Sequence, residues 1–270
     1  MKDIVKAGLC QVPVTDNKEK NIEEAGKMIR EAAANGAELI ALPEIWNCPY
    51  STDYFEEYSE PEGAGTYSFL SETAKELGVY IVGGSIPENE DGRVYNTSYS
   101  FDRAGKLIGK HRKAHLFDID VEGGIRFMES DVFTAGDSTT VFDTDLGKIG
   151  VAICFDVRFP EPFRKMALEG AEMIILPAAF NMTTGPAHWE ISMRTRAMDN
   201  QVFFAAVSPA RDMEGPYQAW GHTCAVSPWG DVLTMADEKP QIVYAEFSAA
   251  RLKEVREQFP LLKSRRPEIY

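Results

Sequence analysis

At 270 residues with 44% hydrophobic content, the chain is long enough to bury one large core, and no Pro/Ser/Gly-rich linker or charge block divides it. Its 28 basic against 42 acidic residues leave a formal charge of -14, a field that repels phosphate backbones and anionic lipid surfaces and argues against nucleic acid or membrane partners. Four cysteines, at 10, 48, 154 and 224, have neither metal-ligand spacing nor a paired framework. No apolar run reaches the roughly 18 residues of a membrane span, and MKDIVKAGLCQV has the character of a strand rather than of a signal peptide. A reducing, cytoplasmic compartment is the expectation.

Val5 to Val12 form the first expected strand, and Asp16 followed by Glu19 has the spacing of a capping box that opens a helix. Ile22, Ala25, Ile29 and Ala32 continue it at helical spacing. After Gly36 comes ELIALPE, a short apolar strand running into Pro43 and Glu44. That carboxylate falls just beyond a strand end, where open α/β sheets collect functional groups. A helix is predicted from about Ser68 to Leu77, then a strand from Tyr80 to Gly83. Tyr95 to Phe101 and Lys106 to His111 flank the turn Asp102, Arg103, Ala104, Gly105, which is hairpin chemistry.

The stretch GKIGVAICFDVRFPE reads as a buried strand that stops at Cys154 and turns straight into a helix, with Pro160 in the first turn. A thiol facing the N–H groups of a helix start is expected to have its pKa lowered from about 8.5 toward neutrality. Met173 to Leu176, a helix from about Trp189 to Asn200, Phe203 to Ser208, and strands near Thr223 to Ser227, Val232 to Met235 and Ile242 to Glu246 complete the pattern. This mixture of βα units and hairpins predicts an α/β fold with a mixed sheet, or two sheets layered with helices.

Three strand ends thus deliver a carboxylate (Glu44), an ammonium (Lys113, in KHRKAHLFDID) and a thiol (Cys154). Hydrolysing an amide through cysteine needs a base for the thiol proton, a cation or N–H pair for the oxyanion, and a proton for the leaving amine. Those types are present. Taken singly, each has a plainer role: Glu44 as a helix cap, Lys113 as a solvated basic edge beside His111, Arg112 and His115, and Cys154 as a buried filler.

As an ordered set, LPE, HRKAHLFDID and CFDVRFPE resemble the three signature segments of the nitrilase superfamily of carbon–nitrogen hydrolases. The resemblance implies a single-domain four-layer αββα sandwich, residues 1–248, with a C-terminal helix and tail, residues 249–270, at a homodimer interface. It implies no metal and no cofactor, Glu44 as general base, Lys113 as oxyanion stabiliser, Cys154 as nucleophile, and Glu129 in RFMES orienting Lys113. The segments LFDIDVEGGIRFMES, AAFNMTTGPAHWEISMRTRAMDNQVF, SPAR and AWGHTCAVSPWGDVL resemble its ω-amidase branch, which deamidates 2-oxoglutaramate and 2-oxosuccinamate. That likeness implies a small-molecule amide substrate whose far carboxylate meets Arg158, with Phe180 and Thr184 beside it. A guanidinium fork suits bidentate carboxylate capture, although Arg158 has the alternative of pairing with Glu161 or contacting a second copy. Residues 121–125 depart from the branch at Glu122 and Gly124, just ahead of Glu129.

Other possibilities stay open at this point. A Cys–His hydrolase could draw on His111, His115, His188 or His222, though His115 and His222 are expected to hydrogen-bond backbone in the interior. Nitrile or N-carbamoyl hydrolysis uses the same triad, and a non-catalytic scaffold of the same fold would gain nothing from burying one.

Overall fold

The computed structural model describes residues 1–120 and 126–269; the departure at 121–125, with Glu122 and Gly124, lies outside them. Strand β1 (Ile4–Gln11) leads into α1 (Lys18–Ala34), β2 (Leu39–Ala41), α2 (Thr52–Tyr58), α3 (Gly65–Leu77) and β3 (Tyr80–Val82). Then come β4 (Ile86–Glu90), β5 (Arg93–Phe101), β6 (Leu107–Arg112) and the short pair β7 (Asp118–Asp120) and β8 (Arg126–Met128). The second half holds β9 (Thr140–Thr144), β10 (Gly147–Val151), α4 (Pro160–Leu168), β11 (Met173–Pro177), α5 (Gly185–Asn200) and β12 (Phe203–Val207). It closes with β13 (Cys224–Val226), β14 (Val232–Met235), β15 (Gln241–Ser248) and α6 (Ala249–Gln258).

Two mixed sheets result, one ordered β15-β1-β2-β3-β5-β4 with β6 beside β5, the other β14-β13-β12-β11-β10-β9. The period of two in each strand decides what lies between and outside them. Leu39 and Ala41 of β2, Met173 and Ile175 of β11, and Phe203, Ala205 and Val207 of β12 fill the space between the sheets. Their neighbours Ile40 and Leu42 face α1 and α3 through Ala25, Ile29, Leu70 and Ala74. Ile174, Leu176, Phe204 and Ala206 face α4 and α5 through Phe163, Met166, Trp189 and Met193. This is the αββα sandwich, and strands apolar on both faces are what burial between two layers demands. Leu252 of α6 joins the inter-sheet core.

The differences from expectation are local. Asn17, not Asp16, caps α1, its side chain accepting from Lys20 N. Helices α3 and α5 begin at Gly65 and Gly185, ahead of the predicted Ser68 and Trp189. Elements α2, β4, β7, β8 and β9 were not predicted. Cys154 does not open an α-helix: a 3-10 turn, Cys154–Arg158, intervenes before α4.

Candidate active site

Glu44 sits where the chain leaves β2, and its turn is held in a costly conformation. Ile45, β-branched, adopts φ 47, a region such residues avoid and that persists only where the surroundings over-determine it. Ile45 N donates to Ser85 Oγ at 3.1 Å, and Ser85 N donates to Pro43 O at 3.0 Å. Gly84, at φ 64, makes that approach possible, since a Cβ there would lie 2.1 Å from Pro43 O. The loop after β3 thereby grips the residue ahead of Glu44.

Lys113 follows β6 and is registered by its own N–H, which donates to Asn96 O at 2.9 Å. Its ammonium lies 2.8 Å from Glu44 Oε1 and 2.8 Å from Glu129 Oε2, and all three side chains are fully buried. Glu129 is fixed in turn by Tyr50 OH at 2.6 Å and by Phe117 N at 2.7 Å. Asn96 Nδ2 donates to Glu44 Oε1 at 2.9 Å. Glu44 Oε2 is left without a hydrogen-bond partner among the described residues, and the Glu44 carboxyl and the Cys154 thiol perturb each other directly. A buried carboxylate oxygen left free by the other side chains and set against a thiol is placed to accept its proton.

One ammonium between two carboxylates leaves the cluster one charge short of balance. Burial raises the pKa of Glu44 against the pull of Lys113. Burial alone would lower that of Lys113, yet Glu129 and Glu44 outweigh it and the ammonium is held above its ordinary range. For Cys154, burial and then Glu44 push the thiol well up, with Lys113 opposing. The expected lowering by a helix start therefore fails. The nucleophile turn is 3-10, Cys154 is only 5% exposed, and the nearest carboxylate disfavours a second negative charge. Cys154 itself stands at φ 43, the second strained non-glycine residue of the site.

On the other side of the thiol, Arg158 is half-buried and its guanidinium lies 4.8 Å over the Phe180 ring. No carboxylate among the described residues pairs with it, Glu161 included, and burial lowers its pKa. Phe180 is 4% exposed and meets Trp189 edge-on at 5.2 Å. Thr184 precedes α5, and its hydroxyl donates to Asn181 Oδ1 at 3.0 Å, so that proton is engaged within the turn.

His111, His115 and His222 are engaged away from the thiol. His111 Nε2 and His115 Nδ1 both meet Asp156, at 3.2 and 2.8 Å. His115 thus binds a carboxylate rather than backbone, whereas the ring of His222 reaches Trp220 O at 2.8 Å as expected. Sequence reasoning missed Tyr50, Asn96 and Asp156. A signal existed for Asn96 alone, in the polar run of β5, where Asn96, Thr97, Ser98 and Ser100 are all at most 2% exposed.

A thiol, a spare carboxylate oxygen and a fixed ammonium at converging strand ends equip the molecule for nucleophilic attack on a carbonyl and stabilisation of the resulting oxyanion. The carbon-nitrogen hydrolase family model matches residues 6–257, and the chain belongs to that family. It is 49% identical over 265 residues to an omega-amidase of Xenopus laevis, spanning 98% of this chain and 96% of that one. An omega-amidase of Mus musculus is 47% identical with the same coverage. The crystal structure of Nit3 from Saccharomyces cerevisiae, a nitrilase-superfamily member, superposes with a TM-score of 0.90 at 39% identity, covering 98% of this chain and 97% of that one.

Proposed function

We propose that the chain is an ω-amidase, cleaving the terminal amide of small 2-oxo dicarboxylic acid monoamides such as 2-oxoglutaramate and 2-oxosuccinamate. Glu44 Oε2 takes the thiol proton as Cys154 Sγ adds to the amide carbon, and Lys113 Nζ holds the oxyanion. The tetrahedral adduct collapses with C–N cleavage, Glu44 returns the proton to the departing nitrogen, and ammonia leaves a thioester on Cys154. Glu44 then takes a proton from water, which attacks the thioester; the C–S bond breaks, the thiol regains its proton and the 2-oxo acid departs. Glu129 keeps Lys113 in place throughout. Because the resting thiol keeps its proton, deprotonation and attack are coupled.

The observation that carries the substrate class is the half-buried guanidinium of Arg158 beside Cys154, with which no carboxylate among the described residues pairs. A desolvated cation without a carboxylate of its own favours a ligand that brings one. Full-length identity to proteins named omega-amidase supports the same class. Phe180 supplies the apolar wall, and Thr184 lies at the turn beyond it. Ammonia release should be fast for 2-oxoglutaramate and 2-oxosuccinamate and slow for glutamine, asparagine and N-carbamoyl amino acids. Faster turnover of the carbamoyl compounds would refute the assignment. Arg158→Met should cost on the order of 1.5–3 kcal/mol in kcat/KM for 2-oxoglutaramate, the range for a hydrogen bond to a charged group, and spare short neutral amides.

We further propose a homodimer in a reducing, cytoplasmic setting. Exposed Ile191 and Met198 on α5, with Trp229 and Phe259 nearby, support the first. Four free cysteines and a nucleophile that must remain a thiol support the second.

A further inference from the structure

Asp156 lies two residues beyond the nucleophile and is 1% exposed. Its carboxylate joins the chain segment on either side of Lys113 to the residue ahead of Cys154. Oδ1 accepts from His115 N at 2.9 Å and meets His115 Nδ1 at 2.8 Å. Oδ2 accepts from Ile153 N at 2.9 Å and meets His111 Nε2 at 3.2 Å. Burial would raise this carboxyl, but His111 and His115 hold it well below the usual carboxylate range. As an anion it only accepts, so His111 Nε2 and His115 Nδ1 each present N–H to it. Behind them, His111 Nδ1 meets Thr140 Oγ1 of β9 at 3.2 Å, and His115 stacks on Phe159 at 3.8 Å. Both rings are therefore braced from the far side.

Resting on Cys154 as nucleophile and Lys113 as oxyanion holder, we propose that Asp156, with His111 and His115, is a positioning clamp that sets the thiol against the ammonium. Two anchors flanking Lys113 and one preceding Cys154 end on one carboxylate. The Ile153 N–H held by Asp156 also closes a loop around Cys154, which stands at φ 43. Loss of the clamp frees the nucleophile turn to relax from that conformation.

The test turns on which ring nitrogen each histidine uses. The side-chain amide of Gln places its nitrogen where His Nε2 lies, and that of Asn where Nδ1 lies. His111→Gln and His115→Asn therefore keep the donor to Asp156, while His111→Leu and His115→Leu keep volume only. With 2-oxoglutaramate, single-turnover formation of the Cys154 thioester, read by mass spectrometry, should slow about 10- to 100-fold in Asp156→Asn and both Leu variants, with KM within about three-fold of the parent; a misplacement near 1 Å costs this much. The Gln and Asn variants should recover to within about five-fold of the parent. An Asp156→Asn enzyme acylating at the parental rate overturns the clamp. So do Leu and amide variants equally slow, because then only packing matters; this comparison stands even if Asp156→Asn fails to fold. A parent enzyme that forms no thioester on Cys154 would instead overturn the nucleophile assignment.

Discussion

Cys154 is asked to attack from a place where its proton is hard to lose. Burial raises the thiol and Glu44 raises it further, so activation comes from proton transfer to Glu44 during attack rather than from a standing thiolate. Quenched enzyme should carry its acyl mass on Cys154, and Cys154→Ala should lose nearly all turnover; an adduct on Cys10, Cys48 or Cys224 would sink the assignment. The neighbouring charges give opposite stability signs. Glu44→Gln removes one of two carboxylates around a single ammonium, so the fold should hold while acylation slows. Lys113→Met leaves Glu44 and Glu129 buried without their cation, which should cost about 3–5 kcal/mol of stability unless a proton takes its place. It should also cost about two to three decades in rate, as for a lost oxyanion donor. Thermal melts beside single-turnover rates separate the two. Glu44, Lys113 and Cys154 were legible as an ordered set, in LPE, HRKAHLFDID and CFDVRFPE, rather than singly. Tyr50 was not, because it meets Glu129 across 79 residues of chain, a separation no local pattern encodes; the polar run of β5 marks Asn96 but not its partner Glu44, 52 residues away.

At the scale of elements, the ion cluster beneath Lys113 sets an acid limit. Glu88 of β4 pairs with Arg112 of β6 through contacts of 2.8 and 2.9 Å, and accepts from Thr97 at 2.7 Å. Burial would raise Glu88, but Arg112, Lys110 and Thr97 prevail and lower it to about 2. A depressed folded-state pKa contributes stability above the unfolded value near 4.5 and loses it as pH falls toward 2. Glu88→Gln should therefore lower stability at neutral pH, by on the order of 2 kcal/mol, and flatten its decline between about pH 4.5 and 2. An unchanged acid transition in the variant would show that Glu88 carries no such linkage. The same strand shows why β4 escaped prediction: Ile-Pro-Glu-Asn-Glu points a charge inward, so hydrophobic periodicity has nothing to register. Helices α3 and α5 were shortened for a related reason. Their first turns hold Gly65, Gly185 and Pro186, poor helix formers that a first turn tolerates because the N–H of Pro would have no partner there.

Across the whole molecule, the apolar runs ELIAL, MIILP and FFAAV were legible as strands, and the four-layer sandwich covers them on both faces. What stayed illegible was closure: β15 returns to pair with β1 from Ile4↔Ser248 to Gln11↔Gln241, joining the two ends of the chain. No helix among the described residues is long and apolar enough to cross a membrane. Ile191 is 64% exposed, Trp229 50%, Phe259 47% and Met198 44%, and Trp229 meets Phe259 at 6.0 Å. Single exposed residues need no explanation, whereas several large ones gathered on one face are what the proposed homodimer would cover. If a second copy covers it, sedimentation should give twice the chain mass, and Ile191→Asp should shift the equilibrium to monomer by burying a charge without a partner. Helix α5 carries this face and begins beside Thr184, close to Phe180 and Arg158, so the monomer should show a raised KM for 2-oxoglutaramate with acylation at Cys154 largely kept. Ile191→Asp sedimenting as the parent does would remove α5 from the interface.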